Sequence, residues 1–235
     1  MKKKIHYYAD GANIEEIKLN NSDTRIKGFT TNPSLMKSSG VRDYKRFAKK
    51  VLDIVKVKPV SFEIFSDETK DTEIQAKIIS KWAKNVFVKI PIINSKGKSN
   101  SKLIGELNKQ NIKINVTAVF LKEQTEEVLK HIGKKTDIII SVFAGRIADT
   151  GRDPEKEVLK HINYCKKFKN VKILWASVRE PYNLIQAQKI GCHIITVPPN
   201  ILKKTKIFNK NLRTFSKETV KMFYDDARKS GFNLE

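Results

Sequence analysis

Asn85-Val86-Phe87-Val88-Lys89-Ile90-Pro91 is the stretch on which the reading of this chain turns. Its apolar residues are mostly β-branched or aromatic, so it reads as a short buried strand. Pro91 cannot continue a central ladder and marks the strand's end. Alternation puts Val86 and Val88 on one face and Phe87 and Lys89 on the other. An ammonium in that setting must be solvated, paired or neutral, because an unpaired buried charge is costly. From this segment alone two readings stand. Lys89 is a gatekeeper on an edge strand, or it is a nucleophile that forms a Schiff base with a carbonyl substrate.

The remaining strands decide between them. Short apolar runs recur at 4–9, 25–29, 59–65, 112–116, 137–140, 171–176 and 193–197, and with 85–91 they make eight. Between them lie helical patterns: one opening at 13–16, then 42–55, 71–83, a segment ending near 109, 122–132, 154–168 and one after Pro181. Residues 30–34 and 95–100 read as polar loops, and Phe143, Arg146 and Asp149 fall in another. Pro198-Pro199 opens a short helix, and 216–230 forms a terminal one. Strands alternating with helices imply a parallel sheet built from right-handed crossovers. Eight units in this length favour a closed (β/α)8 TIM barrel with an additional C-terminal helix, a fold of about 250 residues. No Gly-rich dinucleotide or P-loop fingerprint follows any strand, which argues against an open doubly wound sheet. With no repeat beyond the βα alternation and no composition break, one domain over 1–235 is expected.

Composition narrows the class. The 235 residues can bury a substantial core, and no apolar run approaches the ~20 residues a membrane span needs, so no membrane partner is expected. Met1-Lys2-Lys3-Lys4 resembles the basic end of an export signal, but Asp10 ends the apolar stretch behind it. Cys165 and Cys192 lack metal-ligand spacing, as expected of small buried residues in a reducing cytoplasm. His6, His131, His161 and His193 are scattered, so no metal and no cofactor are expected. The net charge of +22 raises the question of nucleic acid. The lysines, however, are spread through almost every segment, and the aromatics sit in apolar strands, so no nucleic-acid partner is expected.

Chemistry on such a barrel collects at the carboxyl ends of the strands. Those positions hold Asp10, Thr30 to Asn32, Glu63, Lys89, Asn115, Thr117, Ser141 and Ser177. Any one of them has a structural explanation as a cap, a turn or a satisfied core group. Seven of eight strands delivering a polar group to one rim points instead to a catalytic network.

Four motifs carry a family resemblance: Phe29-Thr30-Thr31-Asn32-Pro33-Ser34-Leu35, Val88-Lys89-Ile90-Pro91, Asn115-Val116-Thr117-Ala118-Val119-Phe120 and Ala176-Ser177-Val178-Arg179. Their order and spacing resemble the transaldolases, in particular the short members grouped with the fructose-6-phosphate aldolases. The resemblance implies that Lys89 attacks the C2 carbonyl of a ketose phosphate and that Asp10 takes the C4 hydroxyl proton as the C3–C4 bond breaks. Glu63, through a water held by Thr117, would shuttle protons during imine formation and hydrolysis. Thr30, Asn32, Asn115 and Ser141 would contact substrate, Phe143 would flank it, and Arg146, Ser177 and Arg179 would bind phosphate. A free lysine is neutral only to about one part in 10³–10⁴ at pH 7, so the site must help to deprotonate it. The resemblance also implies a homo-oligomer in which the terminal helix reaches a neighbour.

Two positions separate transfer from simple cleavage. The aldolase branch tends to carry glutamine at the position of Glu63 and tyrosine at that of Phe143. Phenylalanine cannot donate a proton to the enamine, so the intermediate would wait for an acceptor aldehyde. Gly11 replaces the usual small hydroxyl residue, the 92–101 loop is longer than usual, and Val142 stands where proline is common. These departures border the expected substrate mouth and bear on which sugars are used, including those of a specialised pathway. The alternatives are a fructose-6-phosphate aldolase-like lyase, another lysine-dependent aldolase, a sugar-binding barrel without catalysis, and a basic nucleic-acid binder.

Overall fold

The computed structural model describes residues 5–234. Lys4, where the sequence places the first strand's start, and the rest of the basic run Met1–Lys4 lie outside the described residues. Eight parallel strands close a barrel in chain order: β1 (His6–Asp10), β2 (Ile26–Thr30), β3 (Val60–Glu63), β4 (Val86–Pro91), β5 (Ile114–Val119), β6 (Ile138–Val142), β7 (Val171–Trp175) and β8 (Ile194–Val197). The helices are α1 (Ile14–Ser22), α2 (Pro33–Ser38), α3 (Tyr44–Ile54), α4 (Thr69–Ser80), α5 (Ser101–Lys109), α6 (Lys122–His131), α7 (Ala144–Ala148), α8 (Pro154–Cys165), α9 (Tyr182–Lys189), α10 (Pro199–Lys204) and α11 (Leu212–Lys229). Among the described residues, no helix is long and apolar enough to cross a membrane.

Closure removes every sheet edge, and with it the gatekeeper reading of Lys89. The strand β4 is paired on both sides, with Lys89 opposite Glu63 of β3 and Asn115 of β5. Alternation then sorts the side chains. Val86, Val88 and Ile90 join the large apolar cluster under the helices. Tyr8, Phe87, Ile139, Leu174 and Ile194 form a separate cluster inside the barrel. Two residues further along the same strands, the inward positions become Asp10, Lys89, Ser141, Ala176 and Thr196, so the interior changes from apolar to mostly polar toward the strands' carboxyl ends. The apolar layer is tightly filled. A Cβ on Gly28 would meet the Tyr8 ring at 2.5 Å, so that ring occupies the space a side chain would need.

Several elements differ from the sequence expectation for local reasons. The expected polar loop at 30–34 runs into α2, because Asn32 accepts the amide of Leu35 as an N-cap and Pro33 occupies the first turn. The helix opening at Asn13 extends to Ser22, with Asn13 capping Glu16. A short helix, α7, occupies the loop expected around Arg146. The fifth strand does not end at Val116; its pairing with β6 shifts between Val116 and Val119, and Ala118 sits at φ 55°. The terminal helix starts at Leu212 rather than near 216, capped by Asn211.

His161 of α8 is fully buried, with Nδ1 2.7 Å from Oγ1 of Thr125 on α6. Burial pushes its pKa down to about 4, against smaller opposing effects of the Phe120 backbone, Glu157 and Glu123. A base with a depressed folded pKa is protonated first in the unfolded chain, so stability falls as pH drops from about 6.5 toward 4. The loss across that window is roughly 3 kcal/mol. Urea midpoints measured from pH 7 to pH 4 should show this slope, and His161→Gln, which cannot titrate, should flatten it.

Candidate active site

The polar ends of the strands enclose a cavity of about 500 Å³. Asp10, Thr30, Glu63, Lys89, Thr117, Ser141 and Thr196 line it from the strands, Asn32, Phe143, Ser177 and Arg179 from the loops after them, and Arg146 from α7. Every site residue expected from sequence is therefore part of one wall, except Asn115. That side chain lies beneath the cavity, completely buried, donating from Nδ2 to Ser61 Oγ at 3.0 Å and accepting from Ser141 Oγ at 2.6 Å.

Lys89 is 7% exposed. Its Nζ lies 2.9 Å from Glu63 Oε2 and donates to the carbonyl of Thr31 at 3.0 Å. The carboxylate and amine therefore touch directly, where the sequence reading placed a water between Glu63 and the chemistry. Register explains the contact, since Glu63 and Lys89 are paired residues on adjacent strands. Behind Glu63, Tyr44 of α3 donates its hydroxyl to the Glu63 carbonyl at 2.7 Å and packs edge-on against Phe62, Phe65 and Trp82. That aromatic cluster fixes the end of β3.

Asp10 faces both groups. Burial raises its pKa above the usual carboxylate value; Lys89 and a hydrogen bond from Thr30 pull it back, and Glu63 pushes it further up. Thr30 Oγ1 donates to Asp10 Oδ1 at 2.7 Å and lies 2.5 Å from Thr196 Oγ1. Thr117 Oγ1 is buried without a hydrogen-bond partner among the described residues, and the residue lines the cavity, so this hydroxyl keeps its hydrogen-bonding capacity unspent. Asn32 commits its Oδ1 to capping α2, leaving Nδ2 as a donor.

The far side is cationic and more exposed. Arg179 Nη2 pairs with Asp149 Oδ2 at 2.5 Å, both side chains about half exposed, while Arg146 makes no ion pair among the described residues. Ser177 has φ 63°, and a Cβ on Gly145 would overlap its carbonyl oxygen. Glycine is required there for α7, which carries Arg146, to lie against the end of β7. The long 92–101 loop does not line the cavity. It is pinned outward, with Asp67 accepting from the Ser95 amide and hydroxyl and Glu68 paired with Lys96. Gly11 and Val142 are likewise absent from the wall, so none of the three sequence departures touches the cavity directly.

Sequence reading missed Ser61 and Thr196, and it missed the use of the Thr31 carbonyl as the acceptor for Lys89. Ser61 and Thr196 carried a signal: each lies two residues from an inward position, Glu63 and Ile194, and so shares its face. Chemically, the assembly offers an amine with a proton acceptor in contact, a second carboxylate held by hydroxyls, and two guanidinium groups. Among the described residues, no three His, Cys, Asp or Glu side chains converge as metal ligands.

Residues 7–234 match the family model described as transaldolase/fructose-6-phosphate aldolase. The chain is 31% identical over 231 residues to a probable transaldolase of Thermoanaerobacter sp. (strain X514), covering 98% of this chain and 100% of that one. It is 33% identical over 209 residues to a probable transaldolase of Methanococcus vannielii, covering 88% and 92%. A crystal structure of KGPDC from Streptococcus mutans is similar at a TM-score of 0.53 and 7% identity, covering 83% and 88%. That likeness supports the barrel fold alone.

A buried acid with a raised pKa costs stability when it is ionised, and the cost vanishes when it is protonated. Asp10→Asn should therefore raise Tm at pH 8, and the gain over wild type should shrink as pH falls into the carboxylate range. Thermal scans at several pH values check this; a lower Tm at pH 8 would show that the carboxylate stabilises the fold.

Proposed function

The chain belongs to the transaldolase/fructose-6-phosphate aldolase family, and on that premise we propose that it is a transaldolase acting through a Schiff base on Lys89. It would move a dihydroxyacetone unit from a ketose phosphate, of the fructose 6-phosphate or sedoheptulose 7-phosphate type, to an aldose phosphate. The observation that carries this reading is the buried Lys89–Glu63 contact of 2.9 Å with Asp10 in the same cavity.

Lys89 passes a proton to Glu63, attacks C2 of the ketose and forms a carbinolamine. Glu63 returns that proton to the departing hydroxyl, water leaves, and a protonated imine remains. Asp10 takes the C4 hydroxyl proton, the C3–C4 bond breaks, and its electron pair flows to the iminium nitrogen, giving an enamine. The first aldose leaves. An acceptor aldehyde is attacked by the enamine carbon, Asp10 returns its proton to the new alkoxide, and water hydrolyses the imine. Thr117, whose buried hydroxyl has no protein partner among the described residues, would hold the reacting water. Asn32 and Ser141 would bind substrate hydroxyls, with Asn115 orienting Ser141 from below. Arg146, Ser177 and Arg179 would take the phosphate, a planar fork suiting its oxygens.

Glu63 and Phe143 favour transfer over release. Phe143 packs at a tilt against Phe120, 5.8 Å between ring centroids, and has no proton to give the enamine. The reaction would belong to pentose phosphate interconversions in the cytoplasm, which agrees with two buried, unpaired cysteines. A homo-oligomer is part of the proposal. α11 buries none of its residues and exposes Leu212, Val220, Met222, Phe223 and Tyr224.

Incubation with fructose 6-phosphate followed by borohydride should leave a reduced adduct on Lys89, absent in Lys89→Ala. Asp10→Asn should keep the adduct and lose about 10²–10⁴ in turnover. With erythrose 4-phosphate present, a seven-carbon ketose phosphate should form. Phe143→Tyr should shift product toward free dihydroxyacetone, and wild type releasing mainly dihydroxyacetone would mark a lyase instead.

A further inference from the structure

Thr196 stands at the end of β8, 4% exposed, in contact with a residue already tied to the acid. Its Oγ1 is 2.5 Å from Thr30 Oγ1, and Thr30 Oγ1 is 2.7 Å from Asp10 Oδ1. Each threonine hydroxyl carries one hydrogen. With Asp10 ionised, the Thr30 hydrogen is spent on the carboxylate. The contact between the two threonines is then a hydrogen bond only if Thr196 donates. In that ionised state the direction runs from Thr196 to Thr30 to Asp10. Topology supports the arrangement, because β1 pairs with β8 on one side and β2 on the other. Hydroxyls from both neighbouring strands thus form one chain that ends on the carboxylate, Thr30 touching it and Thr196 touching Thr30.

We propose that Thr196 is a positioning residue for the proton transfer: it donates to Thr30, holds the Thr30 hydrogen on Asp10 Oδ1, and leaves Asp10 Oδ2 to exchange the proton of the reacting hydroxyl. This rests on the transaldolase reading above. Oδ2 takes the C4 hydroxyl proton as C3–C4 breaks and returns it to the acceptor alkoxide when the new bond forms, while the hydroxyl chain keeps its direction throughout. A donor feeding Thr30 also polarises its O–H, which favours the ionised acid. The other charged groups facing Asp10, Lys89 from β4 and Glu63 from β3, stay in place when Thr196 is changed.

Thr196→Val keeps the shape and removes the hydroxyl; Thr196→Ser keeps the hydroxyl and removes the methyl. The readouts are kcat for transfer to erythrose 4-phosphate across pH 5–9 and the yield of borohydride adduct on Lys89. Thr196→Val should keep the adduct yield, lose about three- to tenfold in kcat, the worth of one neutral hydrogen bond, and show its acid limb at higher pH. Thr196→Ser should stay close to wild type in both rate and profile. A Thr196→Val profile that overlays wild type, or a serine variant as impaired as valine, overturns the hydroxyl role. Should the valine variant fold poorly, Thr196→Ala against Thr196→Ser gives the same contrast. Wild type that forms neither adduct nor transfer product overturns the transaldolase reading and the proposal with it, whereas an unchanged Thr196→Val in an active enzyme removes the proposal alone.

Discussion

Lys89 and Glu63 meet at 2.9 Å inside a closed barrel, and the demands of that pair shape what surrounds it. Two opposite charges out of water repay their desolvation only when geometry is good and further hydrogen bonds complete each partner. The Thr31 carbonyl supplies one for the ammonium, and the aromatic cage around Tyr44 fixes the strand that carries the acid. Asp10 then adds a second negative group in the same field, at a cost its raised pKa records. A layer built for stability alone would not place two acids around one amine, since apolar residues of similar volume pack there more cheaply. The apolar layer beneath, from Tyr8 through Phe87 and Leu174 to Ile194, shows what this barrel does where no chemistry is required.

Among the described residues, positive φ at non-glycine positions falls on two asparagines away from the cavity, Asn111 and Asn209, which tolerate it, and on two residues at the cavity end. Ala118 and Ser177 hold positive φ directly after Thr117 and Ala176, positions that line the cavity. Non-glycine residues in that region cost on the order of 1 kcal/mol or more and persist only where surrounding contacts fix them. At Ser177 the contact is identifiable: Gly145 allows α7 to lie against its carbonyl. The turn after β7 and the helix carrying Arg146 are thereby locked together. At Ala118 the pairing shift between β5 and β6 plays the corresponding part, letting the strand run on past Thr117.

The barrel was legible because closure needs only a count of apolar runs and the helices between them, and both signals are strong in this chain. Lys89's partner was harder to see. Glu63 could be placed on the same rim, but direct contact depends on the β3–β4 register, which no single strand encodes. Thr196 was readable by parity from Ile194, yet a threonine in a strand otherwise looks like ordinary β-branched filler. The helices α2 and α7 were hidden by length: each is a turn or so of helix in a segment rich in loop-forming residues, and Asn32-Pro33 reads equally well as a turn or an N-terminus. The 92–101 loop was misplaced for a different reason. Following β4 it reads as bound for the mouth, but Asp67 and Glu68 capture Ser95 and Lys96 and draw it outward.

The cavity therefore has two electrostatic regimes, and they suit different tasks. At the rim, Asp149 and Arg179 are about half exposed, and an ion pair so placed is worth about 1 kcal/mol or less. Such a pair exchanges readily: an incoming dianion can take the guanidinium from Asp149 at little cost, and water solvates the released carboxylate. At the floor, water is scarce, and removing either partner of Lys89–Glu63 would leave a charge with no solvent to receive it. Under the proposed reaction, recognition of a charged ligand would fall to groups that can change partners, and proton movement to groups that cannot. A ligand anchored at the rim would be held over an amine that has a carboxylate, Glu63, in direct contact. Its hydroxyls would meet a carboxylate whose other oxygen is already occupied by Thr30. Binding and chemistry could share this one cavity because the gradient of burial along the strands keeps their electrostatics apart.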